Sequence, residues 1–393
     1  MPKDKIEKNI YLDNNATTAL DPRVWELLQT TLKESFGNPS SIHSYGQQAK
    51  ALLNDARRKI ASIFHVLPEE ILFTSGGTEG INLLLRGFFG VKCSGHIITS
   101  NVEHAAVYET ILQLKNAGCA VSFIDVGSYG AAQKEQVEAL IRPDTRLIVL
   151  MSSNNETGVK TDIEAISKLA EKHAIPFFVD AIASFGKEPI SFYPGVSGMV
   201  FSGHKFHGPK GTGFILLRKG VKLTPYITGG TQEMSLRAGT ENVPGLVAQA
   251  HAAILAQAEL AASQKRMLQF RNFFEKTLQD ELDAVVINGE GNRTCNCSNL
   301  AFLGIEGEVL LKKLDLRGVA ASHGSACSSG AVEPSRILLQ MGLKRDRAAS
   351  SLRFSLSRLT TEQEVKDALA IIIDEVRKLR ATILSSLKKS PQD

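Results

Sequence analysis

The chain has 393 residues, 43% of them hydrophobic, which is enough for two packed domains. Its 45 basic and 41 acidic residues leave a net charge of +4, too balanced for a nucleic-acid stripe or a polybasic membrane patch. No apolar run approaches the roughly 20 residues a membrane span needs, and the charged segment 1–8 lacks the apolar centre of a signal peptide, so a soluble, cytoplasmic protein is expected.

From about residue 20 to 220, short apolar runs at 71–74, 96–100, 121–126, 147–151, 176–180, 199–202 and 212–217 alternate with amphipathic helical segments. Such alternation predicts an α/β architecture, a largely parallel sheet covered by helices, with ligands bound beyond the carboxyl ends of the strands. Residues 243–282 read as one long Ala- and Gln-rich helical stretch that connects two domains. A mixed segment follows, with strands near 284–288, 298–302 and 352–355 and helices near 306–314, 334–340 and 361–388. The five cysteines, Cys93, Cys119, Cys295, Cys297 and Cys327, form neither an even framework nor a Cys-x-x-Cys pair, which fits a reducing setting. Cys295-Asn296-Cys297 lacks the second half of a metal site, and no metal is expected.

Three strand ends carry chemistry. The run Met199-Val200-Phe201 leads into Ser202-Gly203-His204-Lys205, a place for a Schiff-base lysine held against an aldehyde. Phe177-Phe178-Val179 ends in Asp180, a carboxylate able to keep a pyridine nitrogen protonated; together the two residues point to pyridoxal phosphate. Each alone has an ordinary reading, a solvated lysine or a turn-capping aspartate. A phosphate needs backbone donors, and Thr74-Ser75-Gly76-Gly77-Thr78-Glu79-Gly80 places glycines between a strand and a helix, where amides and the helix dipole favour an anion. An N-cap by Ser75 or Thr78 is the plain alternative.

These residues resemble the cysteine desulfurases, the aminotransferase class V group of fold-type I pyridoxal phosphate enzymes. Further strings carry the resemblance along nearly the whole chain: Tyr11 to Thr18, Gly37-Asn38-Pro39-Ser40-Ser41, Glu103-His104, Asn154-Asn155-Glu156-Thr157-Gly158, Arg237-Ala238-Gly239-Thr240, Gly324-Ser325-Ala326-Cys327 and Leu352-Arg353-Phe354-Ser355. The resemblance implies a large cofactor-binding domain over 17–262 with a mostly parallel seven-stranded sheet. A smaller α+β domain would comprise 1–16 and 263–393 and carry a long catalytic loop.

It also implies roles. His104 would stack on the cofactor ring and shuttle protons, and Asn155 would hydrogen-bond cofactor or substrate. Gly77, Thr78, Ser202 and His204 would hold the phosphate end. Thr240 would reach the phosphate of the partner subunit's cofactor in a homodimer. Arg353 would grip the carboxylate of L-cysteine as a planar fork. Cys327, in a small and polar run, would take the sulfur as a persulfide and pass it to a sulfur acceptor or iron–sulfur scaffold protein. Selenocysteine lyase and cysteine sulfinate desulfinase activities use the same machinery, and a degenerate binding or scaffold protein is the reading of another class. Two departures stand out: Ala183 replaces the glutamine that in the family usually stands three residues after the aspartate and donates to the cofactor's phenolic oxygen, and Thr231 replaces the third glycine in Gly229-Gly230-Thr231-Gln232.

Overall fold

The computed structural model describes residues 9–90, 93–324 and 333–389. In chain order the strands are β1 (Ile10–Tyr11), β2 (Ile71–Thr74), β3 (His96–Ser100), β4 (Ala120–Ile124), β5 (Thr145–Met151), β6 (Phe177–Asp180), β7 (Gly198–Ser202), β8 (Gly213–Leu217), β9 (Val285–Ile287), β10 (Cys297–Phe302), β11 (Val319–Ala320) and β12 (Ser351–Ser355). The helices are α1 (Pro22–Glu34), α2 (Ser44–Phe64), α3 (Gly77–Phe89), α4 (Ala105–Asn116), α5 (Lys134–Ala139), α6 (Ile163–Lys172), α7 (Val243–Ala258), α8 (Leu260–Glu281), α9 (Gly307–Leu316), α10 (Arg336–Gln340), α11 (Arg345–Ala349) and α12 (Glu362–Lys389).

Seven strands form one sheet in the order β2-β8-β7-β6-β5-β3-β4. β4, β3, β5, β6 and β7 run parallel, while β8 is antiparallel to both β7 and β2. The central strands are buried along their whole length, β6, β7 and β8 without an exposed residue. Helices on both faces bury a sheet this way, which is why these strands read as continuous apolar runs instead of alternating ones. Apolar cores lie on the two faces, one containing Ile60, Phe64, Phe201 and Phe214, the other Leu84, Ile97, Phe178 and Ile215.

A third core gathers Ile10 and Leu12 from the N-terminal segment, Met267 and Phe274 of α8, Phe302, Phe354 and Ile372. Around it stand the antiparallel sheet β12-β10-β9 and the parallel pair β1-β11. The N-terminal segment thus packs with the C-terminal third of the chain.

Two expectations are corrected. The helical stretch expected over 243–282 breaks at Glu259, where α7 ends and α8 begins. Alanine and glutamine favour helix throughout, so local propensity carries no sign of the break; tertiary ion pairs hold it. Glu259 accepts from Arg23 Nη1 at 2.7 Å and from Arg358 Nη1 at 2.8 Å, and Arg358 also binds the buried Asp21, the N-cap of α1. The second correction concerns the cysteines: Cys93 and Cys119 form a disulfide, with Cα atoms 5.3 Å apart. They are 26 residues apart in sequence. Only the parallel pairing of β3 with β4, which brings the start of β4 next to the segment before β3, makes them neighbours.

Candidate active site

Parallel register sets the site. Met151 of β5 is paired with Asp180 of β6, and Asp180 with Val200 of β7, so the carboxyl ends of three strands lie side by side. Asp180, the last residue of β6, is buried, and its Oδ1 accepts the Ile182 N–H at 3.0 Å. Burial raises the carboxyl above its ordinary range, opposed by His104, the Ile182 amide and Lys205. Beyond β7 a single 3₁₀ turn, Gly203–Lys205, carries Lys205 into the pocket. Its ammonium donates to the carbonyls of Asn15 at 2.6 Å and Ala16 at 2.9 Å. Asn15 is itself fixed from three sides: its N–H by Ser355 Oγ, its Nδ2 by the Asn155 carbonyl and its Oδ1 by Asn296 Nδ2. The lysine therefore sits where the N-terminal segment, the large sheet and the smaller antiparallel sheet meet.

At the next strand end, β2 runs through Gly76, the N-cap, into α3. This corrects the plain alternative of a Ser75 or Thr78 cap. The first amides of a helix have no partner inside it, and their dipoles add to a positive end. Gly213 of β8 crosses so near that a Cβ there would meet Gly76 Cα at 2.7 Å. Glu79 ties the turn down, accepting from Ser75 N–H at 3.0 Å and from Arg237 Nε at 2.9 Å. Gly77, Thr78, Ser202 and His204 all line the pocket that holds Lys205. His204 Nδ1 meets Thr17 Oγ1 at 3.1 Å, and burial, reinforced by Lys205, pushes its pKa down to about 4.

His104 is the N-cap of α4, its Nδ1 accepting the Ala106 N–H at 3.1 Å. Burial lowers its pKa. A neutral imidazole accepting at Nδ1 carries its proton on Nε2. Beside it in sequence, Glu103 is fully enclosed; burial pushes its carboxyl up to about 8 although Ser100 Oγ donates to it at 2.5 Å. Arg353 projects from the centre of β12, 3% exposed, with Nη2 on Asp13 Oδ1 at 2.7 Å and Nη1 on the Asn155 carbonyl at 3.0 Å. Its Nε and the Asn155 Oδ1 are buried with no partner among the described residues.

Nine of the residues singled out from sequence, Gly77, Thr78, His104, Asn155, Asp180, Ser202, His204, Lys205 and Arg353, thus line one pocket. Thr240 does not; it is exposed, on the loop after Arg237. Cys327 lies outside the described residues. The chain approaching it leaves from Ser322, which exchanges two backbone hydrogen bonds with Arg353. Ala183 lines the pocket, and its carbonyl accepts from the buried Lys187 ammonium at 3.1 Å. Burial brings that ammonium down to about 7, with Lys205 the strongest charge acting in the same direction. Sequence reasoning gave no role to Asp13, Asn15, Ser153 or Lys187, although Asp13 and Asn15 lie in the string Tyr11 to Thr18 that carries the resemblance.

The aminotransferase class-V family profile matches residues 10–368. The cysteine desulfurase IscS of Dictyoglomus turgidum is 39% identical over 379 residues, covering 95% of this chain and 96% of its own length. The putative cysteine desulfurase IscS 1 of Bacillus subtilis is 40% identical over 377 residues, with 95% and 100% covered. Among solved structures, a NifS-like protein superposes with a TM-score of 0.88 at 36% identity, covering 94% of this chain and all of its own. A structure of SspA in complex with cysteine superposes at 0.78 with 32% identity, covering 89% and 99%. The chain belongs to the aminotransferase class-V family and, within it, to the pyridoxal phosphate-dependent cysteine desulfurases.

Proposed function

We infer that the protein removes sulfur from L-cysteine, leaving L-alanine, and holds the sulfur as a persulfide on Cys327 for an acceptor protein of iron–sulfur cluster assembly, in the cytoplasm. The observation that carries this reading is the convergence on Lys205 of a helix N-terminus, a buried carboxylate and a buried arginine fork. These groups fit pyridoxal phosphate. The amides of Gly77 and Thr78 with Ser202 and His204 offer the phosphate end its donors, and the unpartnered Asn155 amide offers a polar contact. Asp180, raised by burial against the opposing pull of His104 and Lys205, is the group a protonated ring nitrogen would bring back to its charged form.

When bound, the cofactor supplies an aldehyde for Lys205 and a ring that accepts carbanion electrons. Lys205 would take the proton from the substrate Cα; the Asn15 and Ala16 carbonyls accept hydrogen bonds from its nitrogen and hold it in the pocket. Arg353, braced by Asp13 and the Asn155 carbonyl, orients the substrate carboxylate. His104 contributes an Nε2–H at the pocket wall. The Cys327 thiolate attacks the substrate sulfur. An S–S bond forms, the C–S bond breaks, and its electron pair stays on the carbon that is protonated to give alanine.

A homodimer completes this reading, with Thr240 serving the partner's cofactor phosphate. Its exposed position supports that, as do the exposed Tyr226, Ile227 and Met234 on the same segment.

Incubation of the pure protein with L-cysteine, followed by assays of alanine and protein-bound sulfane sulfur, tests the proposal. One alanine should form per sulfur bound before any acceptor is added, and Cys327→Ser should abolish sulfur transfer. Faster turnover of selenocysteine or cysteine sulfinate would reassign the substrate, and absence of alanine would overturn the reading.

A further inference from the structure

Three serine hydroxyls run in series behind the pocket. Ser153 lines it together with Asn155, Asp180 and Ala183. Its Oγ lies 2.7 Å from Ser184 Oγ, which in turn lies 2.6 Å from Ser152 Oγ. Ser152 Oγ donates to the Asp180 carbonyl at 3.1 Å. Ser152 and Ser153 follow β5 and Ser184 follows β6, so the register that pairs Met151 with Asp180 assembles the series. Ser153 and Ser184 are 2% and 3% exposed, so bulk water competes little for the bond between them. Ser152 and Ser184 also line a second, polar cavity that holds Lys160 and Glu188.

A hydroxyl donates one hydrogen bond and accepts up to two, so the series has two self-consistent polarities. In the first, Ser153 donates to Ser184, Ser184 to Ser152 and Ser152 to the Asp180 carbonyl. Ser153 then shows the pocket lone pairs only. In the second, Ser152 donates to Ser184, Ser184 to Ser153, and Ser153 donates into the pocket. Reversal orphans nothing, because the Asp180 carbonyl keeps the Ser152 N–H at 2.8 Å. No covalent bond changes and no proton leaves; three hydroxyl rotors turn. A glutamine side chain at 183 would be a fixed amide donor, whereas Ala183 contributes only a carbonyl already bonded to Lys187.

We propose that Ser153, Ser184 and Ser152 form a polarity-reversible hydrogen-bond relay for the cofactor's phenolic oxygen, donating to it when it is anionic and accepting from it when it is protonated. This rests on the pyridoxal phosphate reading above. Each hydroxyl in such a series polarises the next, so the far members act on the ligand through Ser153. Ser153 is the contacting group, and Ser184 and Ser152 are positioning residues.

The test is the spectral pH titration of the bound cofactor, with the affinity of apoprotein for pyridoxal phosphate measured alongside. Ser153→Ala removes the terminal hydroxyl; Ser184→Ala cuts the relay without touching the pocket wall. Ser153→Ala should raise the titration midpoint by about half a unit to one unit, because the anionic form loses a charge-assisted bond and the protonated form only a neutral one; Ser184→Ala should raise it by less, because the Ser153 hydroxyl remains and loses only the polarisation of its neighbour. Both should weaken cofactor affinity on the order of two- to tenfold. The double variant should be no worse than Ser153→Ala alone, since Ser184 acts through Ser153. Ser184→Thr, which keeps the hydroxyl, should restore the parental midpoint. Parental midpoint and affinity in both alanine variants, or a midpoint that Ser184→Thr leaves as shifted as Ser184→Ala does, would overturn the relay. If the parent protein itself takes up no pyridoxal phosphate, it is the functional reading that fails.

Discussion

Arg353 is engaged before any substrate arrives, its two terminal nitrogens on Asp13 and on the Asn155 carbonyl. Only a planar fork can keep such braces and still present a further N–H, so Arg353→Lys should weaken L-cysteine binding and leave the resting cofactor spectrum unchanged. Loss of a charge-assisted bond corresponds to about 1.5–3 kcal/mol, or about one to two decades in affinity. Unaltered KM and kcat/KM would remove Arg353 from the substrate site. Glu103 makes a second residue-level prediction. Its folded pKa of about 8 lies above the ordinary 4.5, so the native state binds more protons between those values. Its stabilising contribution is complete below the unfolded value and is lost as pH rises through about 8. Glu103→Gln should flatten that decline, which for a single group is at most about 1.4 kcal/mol per pH unit. Urea unfolding of parent and variant at pH 5, 7 and 9 reads it directly; parallel curves would show that Glu103 titrates normally.

At the level of elements, the joint between α7 and α8 depends on charges contributed by distant segments. Asp21 is 1% exposed, and its hydrogen bonds from Arg23, joined by Arg358, hold its carboxyl far below the usual range. The stability this supplies is present above the unfolded value of an aspartate and is lost as pH falls. Arg358→Met should leave Asp21 and Glu259 with Arg23 as their remaining shared cation and destabilise the protein by about 1–3 kcal/mol. The acid limb of the stability profile should become shallower at the same time. A variant that unfolds at the parental urea midpoint would show that the break at Glu259 does not depend on Arg358.

On the scale of the whole molecule, the exposed Thr240 and the pocket-lining Lys205 invite a subunit-mixing experiment. If Thr240 serves the partner's cofactor, mixing Lys205→Ala with Thr240→Ala subunits creates dimers with one intact site. The mixture should then recover parental cofactor affinity in a fraction of its sites; no recovery would mean that Thr240 acts, if at all, within its own chain. The alternating pattern, the strand ends carrying Asp180 and Lys205, the glycine turn before α3 and Arg353 in its string were legible in the linear chain, because each depends on a short stretch of residue types with a required spacing. Boundaries within a few residues followed for the same reason, as at 298–302 against Cys297–Phe302. What separates in sequence and meets in space was not legible. The β5/β6 register that aligns Ser153 with Ser184, the 340-residue reach from Arg353 to Asp13, the Cys93–Cys119 pair and the ion pairs that split the long helix are all of this kind. Local propensity and periodicity report only the face a residue will bury. Which partner waits there is decided by sheet order and by the packing of the N-terminal segment against the far end of the chain.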